Sequence, residues 1–563
     1  MFLTLLRHHQ YCSDRCQKQH WLRHSSTCAH PYLEKKWQPS WLAENREPRF
    51  LASSLSWSHS ATSSGSHIFP ALDVLQLSYN EGPKAAEMNF KLCFTACSDI
   101  RNLVKTVNSL PKDYTGRCEI LMNDTDATVI NRNLVVLFAL LGAGPSLDEA
   151  AELATHLMYS TILTPRGAAY LQRCIEYIYA SDTSPQEQTM SFRVRLSTRG
   201  SCSTIYSTQT TTGVRQPMEM LYGQSLFTFS AAMKSMRCTI MQHDNADRWD
   251  WFLSKLTPAH RMSFKNYRDS GILSPFSLNT TNFTQPNRLL FSAQDEWLGD
   301  FNPLGGWDIS SVVSSGEKHG VSSADIFGCL FFHVKSQLRE FARRVKDHKI
   351  EIHLTQFDPK ILSKGLLAGA LGSGYEGGGC FDRIDTGNMM ERENIGIREC
   401  LTEWGPLLNC SNPNSVILMS TRTWHEGWMT MARVDPRVAL GSIMERCFRL
   451  RGVHPRFKES FSQGLRSPKV LRMIESLDAF YDHDDALHEF LEEQKMDMVL
   501  ESCGLELRSQ HRVHPKRFGV PLSALDHQLP CLDRAEFYQL ATLCGANFSA
   551  RFLEFAPIHH ESV

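Results

Sequence analysis

The sequence has no long apolar run, no secretion signal and no excess of either charge. Its 563 residues carry 59 basic and 60 acidic side chains, a formal net charge of -1. A balanced chain has no overall field that would attract nucleic acid or an anionic membrane. No segment approaches the roughly 20 apolar residues of a membrane-spanning helix. We therefore expect a cytoplasmic protein, with the nucleus as the alternative compartment, whose partners are proteins or peptides rather than membranes or nucleic acids.

The chain is too long for one ordinary hydrophobic core. Hydrophobic residues make up 42% of it and charged residues 21%, as in an average globular protein, so most of it should fold. The 17 cysteines are scattered through core-like segments, which favours a reducing compartment over a disulfide framework.

Residues 11–28, "YCSDRCQKQHWLRHSSTC", bring four metal-binding side chains close together in sequence. Cys12, Cys16, His24 and Cys28 have the spacing C-x3-C-x7-H-x3-C. Thiolate and imidazole ligands at such short spacing suit tetrahedral zinc. The alternative is a short amphipathic segment whose thiols pack without metal. We predict zinc.

This segment resembles the second half of a MYND-type zinc finger, in which two zinc sites are braced together. The resemblance implies that Cys12 and Cys16 complete one site and that His24 and Cys28 complete the other. The upstream C-x2-C pairs of such a finger are absent from residues 1–10. We expect the chain as given to begin after them; the other explanation is a finger that has decayed. The resemblance also implies a module that binds peptides.

Two successive units after residue 67 have the order strand, helix, strand, helix. The short apolar strands are "NFKLCFTAC" (89–97) and "RCEILMNDTD" (117–126). The helices that follow them are "DIRNLVKTVNSL" and "ATVINRNLVVLFALL", which have apolar residues at helical spacing. This order predicts βαβ units and a parallel sheet.

Acidic residues follow both strands, and ligands of such sheets bind outside the carboxyl ends of the strands. Asp99 follows the first strand, and Asp124 and Asp126 end the second, where a carboxylate can accept hydrogen bonds from a ribose. The pattern resembles a Rossmann-like methyltransferase that binds S-adenosylmethionine, but the first turn, "TACSDIR", has no glycine. In the alternative interpretation, Asp99 and either Asp124 or Asp126 cap the helices that follow.

A closer family resemblance covers residues 66–164. It rests on "PALDVLQLSYNEG", "ACSDIRNLVKTVNSLP" and "EILMNDTDATVINRNLVVL". These stretches are similar to a domain of unknown function found in fungal MYND-finger proteins and at the front of dynein axonemal assembly factor 3. The resemblance implies no catalytic residues, and the animal relative implies a cytoplasmic role in dynein assembly.

The later half of the chain contributes further strand and hairpin patterns. Buried strands are predicted by "KIEIHLTQFD", "CFDRIDTGN" and "SVILMST", and Asp385 and Asn388 at the end of the second are candidate pocket residues. Residues 190–211 predict a hairpin. The basic stretch "HRVHPKRF" (511–518) is typical of an ordinary surface loop.

These features divide the chain into six regions. They are a partial zinc finger (1–36), a flexible linker (37–66), the first part of an α/β domain (67–165), a hairpin and helical insertion (166–348), the second part of the α/β domain (349–425) and a helical C-terminal region (426–563). The predicted fold class is α/β, with a Rossmann-like, methyltransferase-like parallel sheet split by the insertion.

Two functional hypotheses follow. The favoured one is a zinc-binding interaction or assembly adaptor without catalytic activity. The alternative is a methyltransferase that binds S-adenosylmethionine at the 96–99 turn and at Asp124 or Asp126. The missing glycine in that turn favours the adaptor.

Overall fold

The structure of the protein is a computed structural model. It describes residues 29–51, 69–142, 144–182, 192–200, 202–210, 227–240, 246–299, 302–371, 378–391, 394–422, 424, 441 and 455–558. The predicted zinc ligands Cys12, Cys16, His24 and Cys28 lie outside these residues. Every helix within the described ranges is too short or too polar to cross a bilayer.

The described ranges contain eleven strands, and nine of them form one sheet. The strands are β1 (Phe90–Phe94), β2 (Arg117–Asn123), β3 (Ile162–Leu163), β4 (Phe192–Ser197), β5 (Thr204–Gln209), β6 (Gln285–Pro286), β7 (Lys349–Thr355), β8 (Arg383–Asp385), β9 (Val416–Thr421), β10 (Leu505–Leu507) and β11 (Arg551–Pro557). The order in the large sheet is β10-β11-β9-β8-β1-β2-β7-β5-β4, and β3 pairs with β6 separately.

The centre of the sheet is parallel. Neighbours from β9 to β5 run in the same direction, β4 is antiparallel to β5, and β11 is antiparallel to both β9 and β10. Parallel strands are buried on both faces, and every residue of β9 is buried accordingly. The predicted mixed α/β class and the strands around 90, 117, 349, 383 and 416 are confirmed.

Two expectations about the sheet need correction. The C-terminal region is not wholly helical, because it contributes β10 and β11 to the sheet. The predicted hairpin exists as β4 and β5, but β5 pairs in parallel with β7 and so extends the main sheet rather than standing apart as an insertion.

Helices cover both faces of the sheet. In the described ranges they are α1 (Ser40–Ala43), α2 (Arg101–Ser109), α3 (Ala127–Leu141), α4 (Leu147–Tyr159), α5 (Pro165–Ala180), α6 (Phe229–Ile240), α7 (Ala246–Lys255), α8 (Pro258–Ser270), α9 (Ile309–Lys318), α10 (Ile326–Asp347), α11 (Pro359–Leu367), α12 (Ile397–Trp404), α13 (Pro455–Ser462), α14 (Pro468–Glu475), α15 (Asp484–Glu493), α16 (Met496–Cys503) and α17 (Arg534–Phe537). A π-helical segment, Tyr538–Cys544, follows the last of these.

The alternation of side chains along β1 separates two cores. Phe90, Leu92 and Phe94 face a core shared with α2, α3, α4 and α10, whereas Cys93 faces a second core shared with α11, α12 and α16. The connection from β1 to β2 lies on the first face, and the connection from β8 to β9 lies on the second. The direction in which successive strands are added therefore reverses between β1 and β8.

The segment expected to be a flexible linker is folded over its described part. Trp41 is fully buried, and its Nε1 donates to the carbonyl of Arg466 at 3.0 Å. Arg46 forms two hydrogen bonds with Asp247 at 2.5 and 2.9 Å. Residues 37–51 are thus packed on α7 and on the chain before α14, where Trp41 and Phe50 join an apolar cluster with Trp251 whose burial stabilises the segment.

Candidate functional site

A cavity of about 140 Å³ opens where the strand order reverses, at the carboxyl ends of β1 and β8. Open α/β sheets bind ligands at such a point. Three of the five predicted cofactor-binding residues, Asp99, Asp385 and Asn388, line this cavity. Asp124 and Asp126 do not line it, so the structure separates the five residues into two groups.

The turn after β1 closes without glycine. Ser98 has a φ of 39°, which lies in the left-handed region that favours glycine. Its N–H donates to Asp124 Oδ2 at 3.2 Å, and the N–H of Cys97 donates to the carbonyl of Asn123 at 2.9 Å. Asp124 therefore ties the end of β2 to the turn, and burial raises the pKa of its carboxyl.

Asp126 caps a helix, as the alternative interpretation predicted. Its Oδ1 accepts a hydrogen bond from the N–H of Thr128 at 2.7 Å at the start of α3. The N–H of Asp126 in turn donates to Asp124 Oδ1 at 2.9 Å. The two carboxylates thus organise the backbone between β2 and α3.

Asp99 is paired with a cation inside the protein. The N–H of Arg101 donates to Asp99 Oδ1 at 2.8 Å, and Arg101 Nε donates to Asp99 Oδ2 at 2.7 Å. Both side chains are buried. Arg101 Nη1 also donates to the carbonyl of Phe69 at 2.9 Å, which anchors the start of the α/β domain beside the cavity.

Asp385 ends β8 on the other side of the cavity. Its Oδ1 accepts the N–H of Gly387 at 3.0 Å, and its Oδ2 accepts from Asn102 Nδ2 at 3.0 Å. Gly387 has a φ of 55°, which permits this tight turn. Burial raises the pKa of the Asp385 carboxyl, because desolvation disfavours its charged form.

Asn388 lies in the same turn after β8. Its Nδ2 donates to Glu391 Oε2 at 3.3 Å, and Glu391 Oε1 accepts the N–H of Arg422 at 2.9 Å. The side chain of Glu391 is buried. Asn388 therefore links the chain after β8 to the chain after β9, close to the cavity.

A loop from the C-terminal region completes the cavity wall, although its sequence did not indicate this. Residues 511–518 were expected to form a surface loop, but His511 and Val513 are only 4% and 2% exposed. The backbone of residues 512–514 lies around Glu554 of β11, which is fully buried and accepts the N–H groups of Val513 at 2.8 Å and His514 at 2.9 Å. An acidic residue inside the apolar strand "RFLEFAP" was the available signal, since a buried carboxylate requires donors.

His514 is the cavity residue that this loop supplies. Its ring stacks on Phe552 with the ring centroids 3.5 Å apart. Its Nδ1 lies 2.8 Å from the carbonyl oxygen of Pro515. Burial lowers the pKa of His514 to about 4, so the ring is neutral at pH 7.

A second cluster of polar side chains lies in the C-terminal region. Asp482, Asp484 and His527 each place one ligand atom within 4.8 Å of the others. His527 Nδ1 and Asp482 Oδ2 are 2.8 Å apart, and this contact raises the pKa of His527. A protonated His527 forms an ion pair here; a divalent cation would need the neutral ring.

Apolar side chains are exposed around this cluster. Phe480 and Leu525 are 66% and 78% exposed, and Tyr481 and Leu529 are also exposed. Phe480 stacks on Phe537 with centroids 6.2 Å apart, so it is held in place. We call Phe480, Tyr481, Asp482, Leu525 and Leu529 the aromatic-acidic surface.

The strand order and pairing make this a mixed α/β protein with a parallel-rich sheet. Residues 67–163 match the model of a family described as a domain of unknown function, DUF4470. The predicted domain of unknown function is thereby confirmed, and its matched segment contains β1, β2 and the helices between β1 and β3. No curated protein matches the chain, and no solved structure matches it.

Proposed function

We propose that the chain is a zinc-binding interaction or assembly adaptor without catalytic activity, built on a Rossmann-like domain. The order β7-β2-β1-β8-β9 corresponds to the order 3-2-1-4-5 of doubly wound sheets, which supports the Rossmann-like assignment. The resemblance of residues 66–164 to the front domain of dynein axonemal assembly factor 3 supports a role in assembly.

The aromatic-acidic surface is the observation that carries this proposal. Exposed apolar side chains that lie together and are rimmed by polar groups mark protein contact sites. The helix α15 begins beside this surface and presents exposed Asp485, Glu489, Glu492 and Glu493. Complementary charge selects partners, so the partner is a basic segment with apolar side chains.

The strand-end carboxylates support the absence of catalysis. Asp99 is paired with Arg101, and Asp124 and Asp126 hold backbone N–H groups. A cofactor-binding carboxylate directs an oxygen at its ligand. These three instead stabilise the turns on which they lie.

A labelled peptide of twelve alternating lysine and leucine residues tests the partner assignment. We expect fluorescence anisotropy to show binding that weakens at least tenfold in the Phe480→Ser, Leu525→Ser double variant. Both side chains are exposed, so the fold should be unaffected. The matched control is Ile361→Ser, because Ile361 is 66% exposed on α11 and lies outside the surface. Equal affinity for the double variant and the control would refute the assignment, and so would equal binding of an alternating glutamate and leucine peptide.

The zinc part of the proposal rests on Cys12, Cys16, His24 and Cys28, which lie outside the described residues. Metal analysis of the purified chain should find less than one tightly bound zinc per chain if these ligands belong to two incomplete sites. One zinc that is lost in both Cys12→Ser and His24→Ala would instead indicate a single regrouped site.

The cavity favours a second candidate, a methyltransferase that uses S-adenosylmethionine. It lies at the position where doubly wound sheets bind nucleotides, and Asp99, Asp385 and Asn388 line it. Pockets for ligands of that size usually measure about 300–1,000 Å³, whereas this open cavity measures about 140 Å³ and holds only part of the cofactor. Isothermal titration decides: micromolar binding that Asp385→Asn abolishes would support the methyltransferase, and no binding would remove it.

A further inference from the structure

The cavity between β1 and β8 contains a carboxylate with no cationic partner among the described residues. The charged residues that line it are Asp99, Arg101 and Asp385. The first two form an ion pair with 2.7 Å between Arg101 Nε and Asp99 Oδ2. Asp385 accepts only neutral donors, from Gly387 and Asn102. Asp385 is half-buried, and a cation beside it would favour its charged form, so a cationic ligand suits this cavity.

Each amide group of the cavity wall uses one of its two N–H donors within the protein. Asn102 Nδ2 donates to Asp385, and Asn388 Nδ2 donates to Glu391. Each Asp385 oxygen accepts one of the hydrogen bonds described above and has capacity for a second. Asp385 therefore offers acceptor sites to a ligand that supplies donors.

His514 adds another acceptor to the wall. A carbonyl oxygen only accepts, so the contact between Pro515 O and His514 Nδ1 places the ring hydrogen on Nδ1. The neutral ring then leaves Nε2 as an acceptor. Nε2 has no hydrogen bond to any residue that the structure describes.

Part of the remaining wall is aromatic, and Ser98 and Ser420 add hydroxyl groups to it. Phe69, Phe94 and Phe552 line the cavity together with Leu418. An apolar cavity of roughly 150 Å³ holds a benzene ring, and the volume here is about 140 Å³. A planar group no larger than one ring therefore fits.

We propose that this cavity binds the guanidinium group of an arginine side chain supplied by a partner protein. A guanidinium is planar, cationic and donates through five N–H groups while accepting none, and it stacks on aromatic faces. These properties match the uncompensated Asp385, the acceptor on His514 and the phenylalanine wall. The inference deepens the proposed adaptor function and rests on it.

Two five-residue peptides test this proposal with the full chain. One is acetyl-Ala-Gly-Arg-Gly-Ala-amide, and the other has citrulline in place of arginine, which keeps the size and removes the charge. We expect NMR titration to show at least tenfold tighter binding of the arginine peptide. Asp385→Asn should abolish that preference. The matched control is Asp497→Asn, which changes an exposed residue of α16 and should keep the preference. His514→Phe keeps an aromatic ring beside Phe552 and removes the acceptor, so it should weaken the arginine peptide severalfold.

Equal binding of the two peptides would overturn the proposal, and so would a preference for arginine that survives Asp385→Asn. Titration with free L-arginine distinguishes a guanidinium of the free amino acid from one on a protein. If free L-arginine binds as tightly as the arginine peptide, the assignment to a partner protein is wrong. S-adenosylmethionine that binds through Asp385 without any preference for arginine would overturn the inference and support the second candidate. If the cavity shows no preference for the arginine peptide but the lysine and leucine peptide still binds, the guanidinium inference is wrong and the proposed adaptor function is retained.

Discussion

Glu554→Gln is the substitution that most directly tests how the C-terminal loop is held against the sheet. Glu554 is fully buried, and its two oxygens serve different donors. Oε1 accepts the N–H groups of Val513 and His514 at 2.8 and 2.9 Å. Oε2 accepts the N–H of Arg512 at 3.0 Å and Arg508 Nη1 at 3.2 Å.

Glutamine replaces one of these oxygens with a donor, so two hydrogen bonds are lost in either orientation. A buried donor left without an acceptor costs about 1–3 kcal/mol. The expected loss for two donors is therefore about 2–6 kcal/mol. Each 1.4 kcal/mol is about tenfold in an equilibrium constant, so 2 kcal/mol corresponds to roughly a 30-fold loss of amide protection.

Native-state hydrogen exchange of residues 512–514 measures this directly. The control is Glu506→Gln, which makes the same change at an exposed position of the neighbouring strand β10. We expect the control to change stability by less than about 0.5 kcal/mol. If Glu554→Gln leaves the exchange of 512–514 within threefold of the wild type, Glu554 does not organise the loop. The arginine peptide should also bind the variant more weakly, since His514 lies in the same loop.

Three further predictions address other parts of the fold. Arg383→Leu removes one partner of a fully buried ion pair and should destabilise the protein by about 3–5 kcal/mol in urea unfolding, whereas Arg166→Leu, at an exposed pair, should cost less than about 1 kcal/mol. Trp41→Ala should cost about 3–5 kcal/mol and make residues 29–51 sensitive to limited proteolysis; unchanged digestion would contradict their packing. His527 has a raised pKa, so its ion pair with Asp482 is fully present below about pH 6.5 and is lost as the pH rises through the folded pKa. An NMR titration should show that Asp482→Asn moves this pKa back towards 6.5, and an unchanged pKa would contradict the contact.

Local sequence patterns were sufficient to predict the central strands of the parallel sheet and the start of α3. The apolar runs around Leu92, Ile120 and Ile417 predicted strands because burial on both faces requires continuous apolar residues. The start of α3 at Ala127 followed from the capping of Asp126, which depends on residues adjacent in sequence. Both features are short-range, so one segment contains all the information they need.

The cavity could not be derived in this way. Its wall joins Asp385 at the end of β8 to His514 in a loop that the sequence presented as an ordinary basic surface. The strand β11 was missed for the same reason, because Arg551 and Glu554 interrupt its apolar pattern and find their partners in distant segments. Amino-acid order alone thus specified the central strands of the sheet and the helix cap at Asp126. Which carboxylates became paired, and which one was left facing a cavity, was decided by tertiary contacts, because a charge is compensated by whatever the folded chain brings near it.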